Sequence, residues 1–450
     1  MADQTIAELT DLSGVLAALA TSPAFDGWDV RLLTPGEPAP IDLAAGTQRA
    51  LEKPLGSPRL AELAHGKRSA VIVTSDATRA VPNRVLLPLV VEELRAGGIA
   101  DDSITVMVGT GAHRPLAPAE LDELLGSHWA GRLRVLNHDA HGETVAVGTT
   151  RRGNEVRVSR AFAEAEVRLA LGLVEPHEFA GFTGGRKAVL PAVAAYETII
   201  RNHSLELMSH PLARPGVLNG NPIHEEMAEA ARLAGLHFIV NVTLDRELRP
   251  LAVAAGDPDA AHAELVRFVK RYARVEPPAE VEAPDEPPDL IVTGPGRPLD
   301  INLYQSVKPL VAVEPWTGRD TTTVLLSRCW DGTGSAEMLE AFAGGAQPAE
   351  VLRRLASDYT IEKDHAYFIA RFRARCPRVV ACCPGVAEAD LRVLGFDVAA
   401  SVEEASGRAR RRPGGRRRAR PLAILFPSPQ RFILSPWRRQ ATTREEGAFT

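Results

Sequence analysis

The sequence is poor in cysteine and in aromatic side chains, and it has no long apolar run. No stretch of about 18 consecutive apolar residues appears, which argues against a membrane-spanning helix and a membrane partner. Acidic residues rather than a basic segment open the chain, so we expect no signal peptide. The four cysteines form no CxxC pair and are too few to form a disulfide framework for 450 residues. They are Cys329, Cys376, Cys382 and Cys383. These features predict a cytoplasmic protein.

The net charge of −5 is unevenly distributed along the chain. Residues 407–450 contain twelve arginines, no lysine and two acids, a net charge of +10 that leaves −15 for the rest. Because binding to phosphates needs a basic face, an acidic body argues against nucleic acid as a partner. An anionic ligand must then be bound by a few placed cations.

Short apolar runs alternate with helical patterns, which predicts α/β architecture with mainly parallel sheets. In such sheets the ligand site lies beyond the carboxyl ends of the strands. The predicted strands are 69–74, 103–108, 167–173, 290–293, 322–327 and 379–382, and the predicted helices are 83–96, 118–125, 303–313 and 335–342.

A proline-rich stretch divides the sequence into two α/β domains. Residues 276–289 are rich in proline and acids and show no apolar period, so we expect an extended linker there. The predicted domains are residues 1–275, which carry most of the motifs, and residues 290–400. Residues 401–450 form an atypical basic tail, either a disordered segment, an interaction arm or an out-of-frame end.

Polar motifs follow the first two predicted strands. The stretch DATR at 76–79 offers a carboxylate, a hydroxyl and a guanidinium, which can bind a ribose and an anion. The stretch GTGAHR at 109–114 has glycines that allow close approach to a ligand, and His113 can act as a base near neutral pH. Alone, each is also explained structurally, by a helix N-cap with a surface arginine or by a tight turn.

A denser motif, HEFAGFTGGRK at 177–187, follows the third strand. It combines His177, a Gly-Gly turn whose N–H groups could bind an anion, and Lys187, which could be a charge partner or a nucleophile. Farther along, His203 stands alone on a predicted helix, where a structural role is the simpler explanation. In the second domain, Gln305 and Lys308 fall on one face of a predicted helix.

Two enzyme classes lack their motifs. No HExxH or paired-ligand spacing supports a zinc hydrolase. No GxGxxG after a strand, followed by an acid about 20 residues on, supports an NAD-type dehydrogenase of 2-hydroxy acids.

In order and spacing, DATR, GTGAHR, HEFAGFTGGRK, the lone His203 and QSVK at 305–308 resemble the motifs of the nickel-dependent lactate racemase family. The resemblance implies two α/β domains facing a central cleft. It also implies a nickel-pincer nucleotide, pyridinium-3,5-bisthiocarboxylic acid mononucleotide, as the cofactor. Enzymes of cofactor biosynthesis would be the partners that load it, and a 2-hydroxy acid would be the substrate.

The resemblance also implies a role for each motif residue. His113 and His177 are the acid/base pair, and His203 is the protein ligand that completes a square-planar nickel site. Lys187 tethers the cofactor through a thioamide. The residues implied to bind the cofactor also include Asp76, Ala77, Thr78 and Arg79. The residues implied to bind the substrate are Arg79, at the carboxylate, and Gln305 and Lys308 of the second domain.

The implied reaction is racemisation or epimerisation at C2 by hydride transfer through a 2-keto intermediate. Glu178 and Arg186 are charged where an apolar or small residue would suit the methyl group of lactate. They predict that a larger or more polar 2-hydroxy acid is at least as good a candidate as lactate. A non-catalytic protein that stores or delivers the nickel nucleotide is the alternative function, although storage would need only Lys187 and His203.

Overall fold

A computed structural model describes residues 11–401, 403–405, 407 and 418–437. Its strands are β1 (Asp29–Leu32), β2 (Ala70–Ser75), β3 (Ile104–Gly109), β4 (Arg134–Asn137), β5 (Thr144–Thr149), β6 (Glu155–Ser159), β7 (Val167–Leu173), β8 (Pro176–His177), β9 (Gly181–Phe182), β10 (Phe238–Leu244), β11 (Pro250–Gly256), β12 (Arg274–Val275), β13 (Leu290–Gly294), β14 (Thr322–Leu326), β15 (Arg378–Cys382), β16 (Asp397–Val398), β17 (Leu422–Pro427) and β18 (Ile433–Leu434).

The helices alternate with these strands for most of the chain. They are α1 (Leu12–Ala20), α2 (Leu43–Glu52), α3 (Leu60–Ala64), α4 (Asn83–Ala96), α5 (Pro118–Leu125), α6 (Ser127–Ala130), α7 (Arg160–Glu164), α8 (Tyr196–Asn202), α9 (Leu205–Met208), α10 (Pro222–Leu233), α11 (Pro258–Tyr272), α12 (Leu303–Ser306), α13 (Lys308–Val313), α14 (Ala336–Glu340), α15 (Pro348–Ser357), α16 (Asp364–Arg375) and α17 (Glu388–Val393). Within the described ranges, none of them is both long enough and apolar enough to cross a membrane.

The chain folds into two compact units. The first unit comprises Gly36–Ala273 together with Tyr359–Asp364. The second unit comprises the described residues of Met1–Pro35, Arg274–Asp358 and His365–Thr450. The prediction of two α/β units with mainly parallel sheets is confirmed.

The first unit is built on a six-stranded sheet with the order β11-β10-β7-β2-β3-β4. Only the β10–β11 pair is antiparallel among its pairings. The central strands β2 and β7 are apolar along almost their whole length because both of their faces are covered. On one face α4 buries Leu86, Val90 and Leu94 against Ile72 and Leu169. The helix begins and ends as the apolar period predicts.

The second unit has a parallel sheet with the order β1-β17-β13-β14-β15-β16. All five residues of β13 and of β14 are buried, as expected of central strands. The predicted helix over 303–313 is instead two short helices, α12 and α13, separated by Val307.

The prediction for the end of the chain is wrong for residues 418–437. The strand β17 is fully buried and lies between β1 and β13, so the described part of the tail belongs to the core of the second unit. Its apolar run escapes the sequence analysis because a strand buried on both faces shows no alternation of polar and apolar residues. Asp29 of β1 pairs with Leu422, so the start of the chain also belongs here rather than in the domain predicted as 1–275. Residues 402, 406, 408–417 and 438–450 of the predicted tail lie outside the described residues.

The predicted linker, residues 276–289, contains no helix or strand, but it is held in place. The buried guanidinium of Arg418 donates to the carbonyls of Glu282 at 2.7 Å and of Pro287 at 2.9 Å. It also forms an ion pair with Asp289 at 3.3 Å. The segment is therefore anchored to the second unit by a residue that sequence analysis assigned to the tail.

Candidate active site

The motif residues of the first unit meet at the carboxyl edge of its sheet. Ser75 at the end of β2 pairs with Gly109 at the end of β3, and β7 runs parallel to β2 on its other side. The loops that follow these three strands carry Asp76, His113 and His177. Because the carboxyl ends of parallel strands meet at one edge, these residues of separate motifs lie on one side of the first unit.

Asp76 and His113 form a hydrogen-bonded pair. The Oδ2 atom of Asp76 lies 2.7 Å from Nδ1 of His113, while Thr78 donates to Oδ1 through its amide at 3.0 Å and its hydroxyl at 2.6 Å. Burial raises the pKa of Asp76, but the charge and hydrogen bond of His113, the hydroxyl of Thr78 and the charge of Arg79 outweigh it and lower the pKa to about 2. An ionised Asp76 keeps the proton of His113 on Nδ1, so Nε2 is the ring nitrogen able to accept a proton.

Arg79 lies near two acids and has a contact with one of them. Its Nε atom lies 4.0 Å from Oε1 of Glu175, and both side chains are mostly buried. The charge of Arg79 also lowers the pKa of Asp76. This cation is placed where it can face a carboxylate. Glu175, which directly precedes β8, escaped the sequence analysis because it lies just outside the motif.

Phe179 connects three of the predicted site residues. Its ring packs edge-to-face against His177, with centroids 4.6 Å apart, and against His203, with centroids 5.1 Å apart. The Nζ atom of Lys187 lies 5.6 Å from the centre of the same ring. The acid/base residue, the metal ligand and the tethering lysine that the resemblance implied are therefore neighbours. Phe179 was missed because an aromatic residue in a motif gives no chemical signal of its own.

His203 has the properties of a metal ligand. It caps the C-terminal end of α8 and is buried, and its Nδ1 atom has no hydrogen-bond partner among the described residues. Burial, followed by the nearby charge of Lys187, lowers its pKa to about 3, so the imidazole is neutral. A buried neutral imidazole with an unsatisfied nitrogen fits a metal ion better than it fits a structural role.

The described residues contain no group of three or more His, Cys, Asp or Glu side chains that could hold a metal ion. The residues present nevertheless fit a nickel nucleotide. His203 could supply one nitrogen ligand, Lys187 on the same aromatic ring could supply an amine, and the loop with Asp76 and Arg79 could supply polar groups. In such a site the nucleotide itself would supply the other metal ligands.

The guanidinium of Arg186 binds carbonyl groups of its own loop. This corrects the expectation that its charge indicates a polar substrate. Its buried guanidinium donates to the carbonyls of Ala180 at 2.8 Å and Phe182 at 2.7 Å and lies 2.8 Å from Nε2 of His262. Burial lowers its pKa to about 9, so it remains charged at neutral pH. Glu178 in turn lies 3.3 Å from Nδ1 of His177. Both charges have partners within the loop and give no reason to prefer a polar substrate.

The Gly-Gly turn also has a structural role. Both glycines have positive φ, and the amide of Gly185 donates to Asn241 at 2.8 Å. A Cβ at Gly184 would lie 2.7 Å from the side-chain oxygen of Asn241, so only glycine fits there. The amide of Gly185 is therefore not available to bind an anion. This corrects the expectation from the sequence that the N–H groups of the turn would do so.

Gln305 and Lys308 lie in the second unit. Gln305 is on α12, and Lys308 begins α13, so the two belong to separate short helices. Both are buried, and the Oε1 atom of Gln305 has no hydrogen-bond partner in the described part of the chain. An unsatisfied buried amide oxygen is the kind of group that a ligand would bind. Their role as substrate-binding residues remains a prediction.

Comparison with known proteins identifies the class. The model of the lactate racemase N-terminal domain matches residues 24–216, and that of the C-terminal domain matches residues 284–419. The computed structure is similar to that of the lactate racemase apoprotein from Thermoanaerobacterium thermosaccharolyticum, with a TM-score of 0.77 and 30% identity over 87% of this chain and 92% of that chain. Together with the two α/β units, these matches define an isomerase of the racemase type.

Curated sequences agree with this class. Lactate racemase of T. thermosaccharolyticum is 36% identical over 313 residues, 69% of this chain and 71% of that protein. Lactate racemase of Lactiplantibacillus plantarum is 37% identical over 308 residues, 68% of this chain and 70% of that protein. The chain belongs to the lactate racemase family. A Thermotoga maritima structure shares the fold, with a TM-score of 0.67 and 15% identity over 90% of this chain and all of that chain.

Proposed function

We propose that the protein inverts C2 of a 2-hydroxy acid, with lactate as the first substrate to test, and that it uses a nickel-pincer nucleotide for hydride transfer. The observation that carries the proposal is that the motif residues include an imidazole oriented by an acid, His113, and a neutral buried imidazole and a lysine on one aromatic ring, His203 and Lys187. Two curated relatives named lactate racemase support lactate as the substrate.

The cofactor would be held by residues at this edge. Lys187 would form the covalent bond to the nucleotide, His203 would bind nickel, and Asp76, Ala77, Thr78 and Arg79 would line the nucleotide. When bound, the nickel nucleotide supplies an electrophile that can accept and return a hydride.

The chain's own residues would handle the proton and the carboxylate. Arg79, which lies 4.0 Å from Glu175, would bind the substrate carboxylate. Nε2 of His113 would take the hydroxyl proton of one enantiomer, because Asp76 fixes the proton on Nδ1. His177 would serve the other enantiomer.

Loss of hydride rather than of the C2 proton suits this site. A carbanion beside a carboxylate would place two negative charges on adjacent carbons, whereas hydride loss with deprotonation of the hydroxyl leaves a neutral carbonyl. The protein then needs only one base for each enantiomer, and an imidazole near neutral pH can serve as base in one direction and acid in the other.

The deciding experiment is to produce the protein together with enzymes of cofactor biosynthesis and to follow the optical rotation of L-lactate and D-lactate. Racemisation in both directions, with nickel and an intact-mass adduct present, is the expected result. A protein that holds nickel and adduct but racemises none of a panel of lactate, malate and aryl-lactates would instead be the storage protein. The Asp76–His113 pair favours catalysis, because storage needs no oriented base.

We further propose that the protein acts in the cytoplasm, where the loading enzymes would meet it. The observation that supports this location is that all four cysteines are free thiols, including neighbouring Cys329 and Cys383. Fractionation of cells that produce the protein tests the location, and recovery outside the cytoplasm would contradict it.

A further inference from the structure

Glu226 is a buried carboxylate beside the end of the helix that carries His203. It lies on α10, and its Oε2 atom accepts a hydrogen bond from the side-chain amide of Asn202 at 2.8 Å. Its Oε1 atom accepts one from the hydroxyl of Thr150 at 2.9 Å. Asn202 is the last residue of α8, and His203 follows it as the C-cap. One carboxylate therefore holds the residue directly before the proposed nickel ligand.

Both hydrogen-bond donors to Glu226 in the described part of the chain are neutral. No ion pair within the described ranges joins this carboxylate to a lysine or an arginine, although it is 3% exposed. A buried carboxylate without a cation costs free energy that an apolar side chain of similar size would not. Stability alone therefore does not account for an acid at this position. Its specific contribution is the position of the Asn202 amide.

The remaining contacts hold α8 at several points, one of them the hydrogen bond from the guanidinium of Arg201 to the carbonyl of Gly153 at 2.8 Å. The hydroxyl of Thr150 also accepts from the amide of Asn154 at 3.1 Å, and the side chain of Asn154 donates to the carbonyl of Thr198 at 3.1 Å. The segment between β5 and β6 therefore holds the middle of α8 through Thr198, while α10 holds its end through Asn202. Of these residues of α8, only Asn202 directly precedes His203.

The ring of His203 depends on this backbone position. Its Nδ1 atom has no hydrogen-bond partner among the described residues, and its ring packs against Phe179. Because no hydrogen bond at Nδ1 fixes the orientation of the His203 ring, its backbone position and its packing against Phe179 determine that orientation. A shift of Asn202 would therefore move the nitrogen that binds the metal.

We propose that Glu226, acting through Asn202, is a positioning residue for His203 as the nickel ligand, an inference that rests on the proposed function. Residues that orient metal ligands from behind typically change metal affinity by about 10- to 100-fold when replaced. We expect an effect of that size on nickel binding, with the covalent attachment at Lys187 unchanged.

The test compares four variants, each produced with the cofactor-synthesis enzymes. Glu226→Leu removes both hydrogen bonds of the carboxylate. Asn202→Ala removes the bond to Glu226 together with the weaker one from the same amide to the carbonyl of Ile223 at 3.3 Å, and Glu226→Gln keeps an acceptor for Asn202. Thr150→Val is the matched control, because it removes the other hydrogen bond of the same carboxylate, together with the one from the amide of Asn154, and leaves the contact between Glu226 and Asn202 in place. Nickel per tethered adduct, nickel affinity by competition with a chelator, and the absorbance spectrum of the bound metal are measured for each.

Glu226→Leu and Asn202→Ala should keep the adduct but bind nickel about 10- to 100-fold more weakly. Glu226→Gln and Thr150→Val should bind nickel as the unmodified protein does. Unchanged affinity in Glu226→Leu, or an equal loss in Thr150→Val, overturns the inference. If Glu226→Leu does not fold, Asn202→Ala decides, since Glu226 then keeps its Thr150 partner. Nickel retained by His203→Ala would instead refute the proposed function, which distinguishes the two failures.

Discussion

Replacing Asp76 by Asn tests how the site prepares His113 as a base. The exchange keeps the size of the side chain but removes its charge, and the new amide can donate to Nδ1 of His113 where the carboxylate accepted. The imidazole would then carry its proton on Nε2, the nitrogen that must receive the substrate proton. The substitution therefore changes the tautomer of His113 and removes the charge that stabilises its protonated form.

The structure sets the size of the charge effect. The pKa of Asp76 lies near 2 against an ordinary value of 3.8, which corresponds to about 2 kcal/mol in favour of the ionised form. That figure is what remains after burial has raised the pKa, so the interactions with His113, Thr78 and Arg79 together exceed it, and the loss of charge alone should cost on the order of 30-fold in rate or more. The wrong tautomer adds to this, and in a catalytic triad the same exchange lowers kcat by about 10⁴. We expect a loss of between about 30-fold and 10⁴-fold.

The assay is kcat for both enantiomers of the accepted substrate as a function of pH, on protein with a matched content of nickel and adduct. Thr78→Val is the control, because it removes the hydroxyl that contacts Asp76 at 2.6 Å and leaves the His113 contact intact. Its loss should be much smaller. An Asp76→Asn variant with the kcat and pH profile of the unmodified protein would refute the idea that Asp76 orients His113.

Four further expectations follow from the contacts described. Lys187→Ala should lack the adduct of a few hundred daltons in intact-mass spectra, and an adduct at another lysine would contradict the assignment. His113→Ala and His177→Ala should each lose about 10²- to 10⁴-fold in racemisation, and each should retain the cofactor half-reaction with the opposite enantiomer; equal handling of both enantiomers by both variants would exclude two bases. Arg186→Leu should lower stability by about 2–4 kcal/mol in a denaturant titration, since it leaves buried carbonyls without a donor. Because the folded pKa of Asp76 is depressed, its stabilising contribution is present above about 3.8 and is lost as pH falls toward 2; Asp76→Asn should show a weaker loss of stability over that range.

The sequence predicts the framework of the first unit well, since periodicity identifies α4, α5 and β7 with their observed bounds. It also identifies the motif loops, because chemically active side chains follow strand ends. It misses β17, whose buried apolar run carries no period and stands next to an arginine-rich segment. The residues that contact a charged side chain also cannot be identified from the linear sequence. Arg186 looks like a ligand-binding cation until its contacts with loop carbonyls are visible.

The same limit applies to the site. The resemblance implies which residues would meet the cofactor, but it does not identify Phe179, Glu175 and Glu226, whose contacts join segments that are distant in the sequence. Glu226 and Thr150 are 76 residues apart, and neither belongs to a motif. Positioning residues of this kind follow from tertiary contacts rather than from spacing along the chain.

The place of β17 between β1 and β13 has a consequence for how the polypeptide is made. During synthesis Asp29–Leu32 leaves the ribosome almost 400 residues before Leu422–Leu425, the segment with which it pairs. The first unit requires only residues 36–273 for its sheet and can therefore assemble while the second still lacks a central strand. Until β17 is made, β13 has an unpaired apolar edge. Nascent chains with such exposed edges aggregate readily and are bound by chaperones. A ribosome that stops shortly before Leu422 would release a chain with all the catalytic motifs of the first unit and an unfinished second sheet.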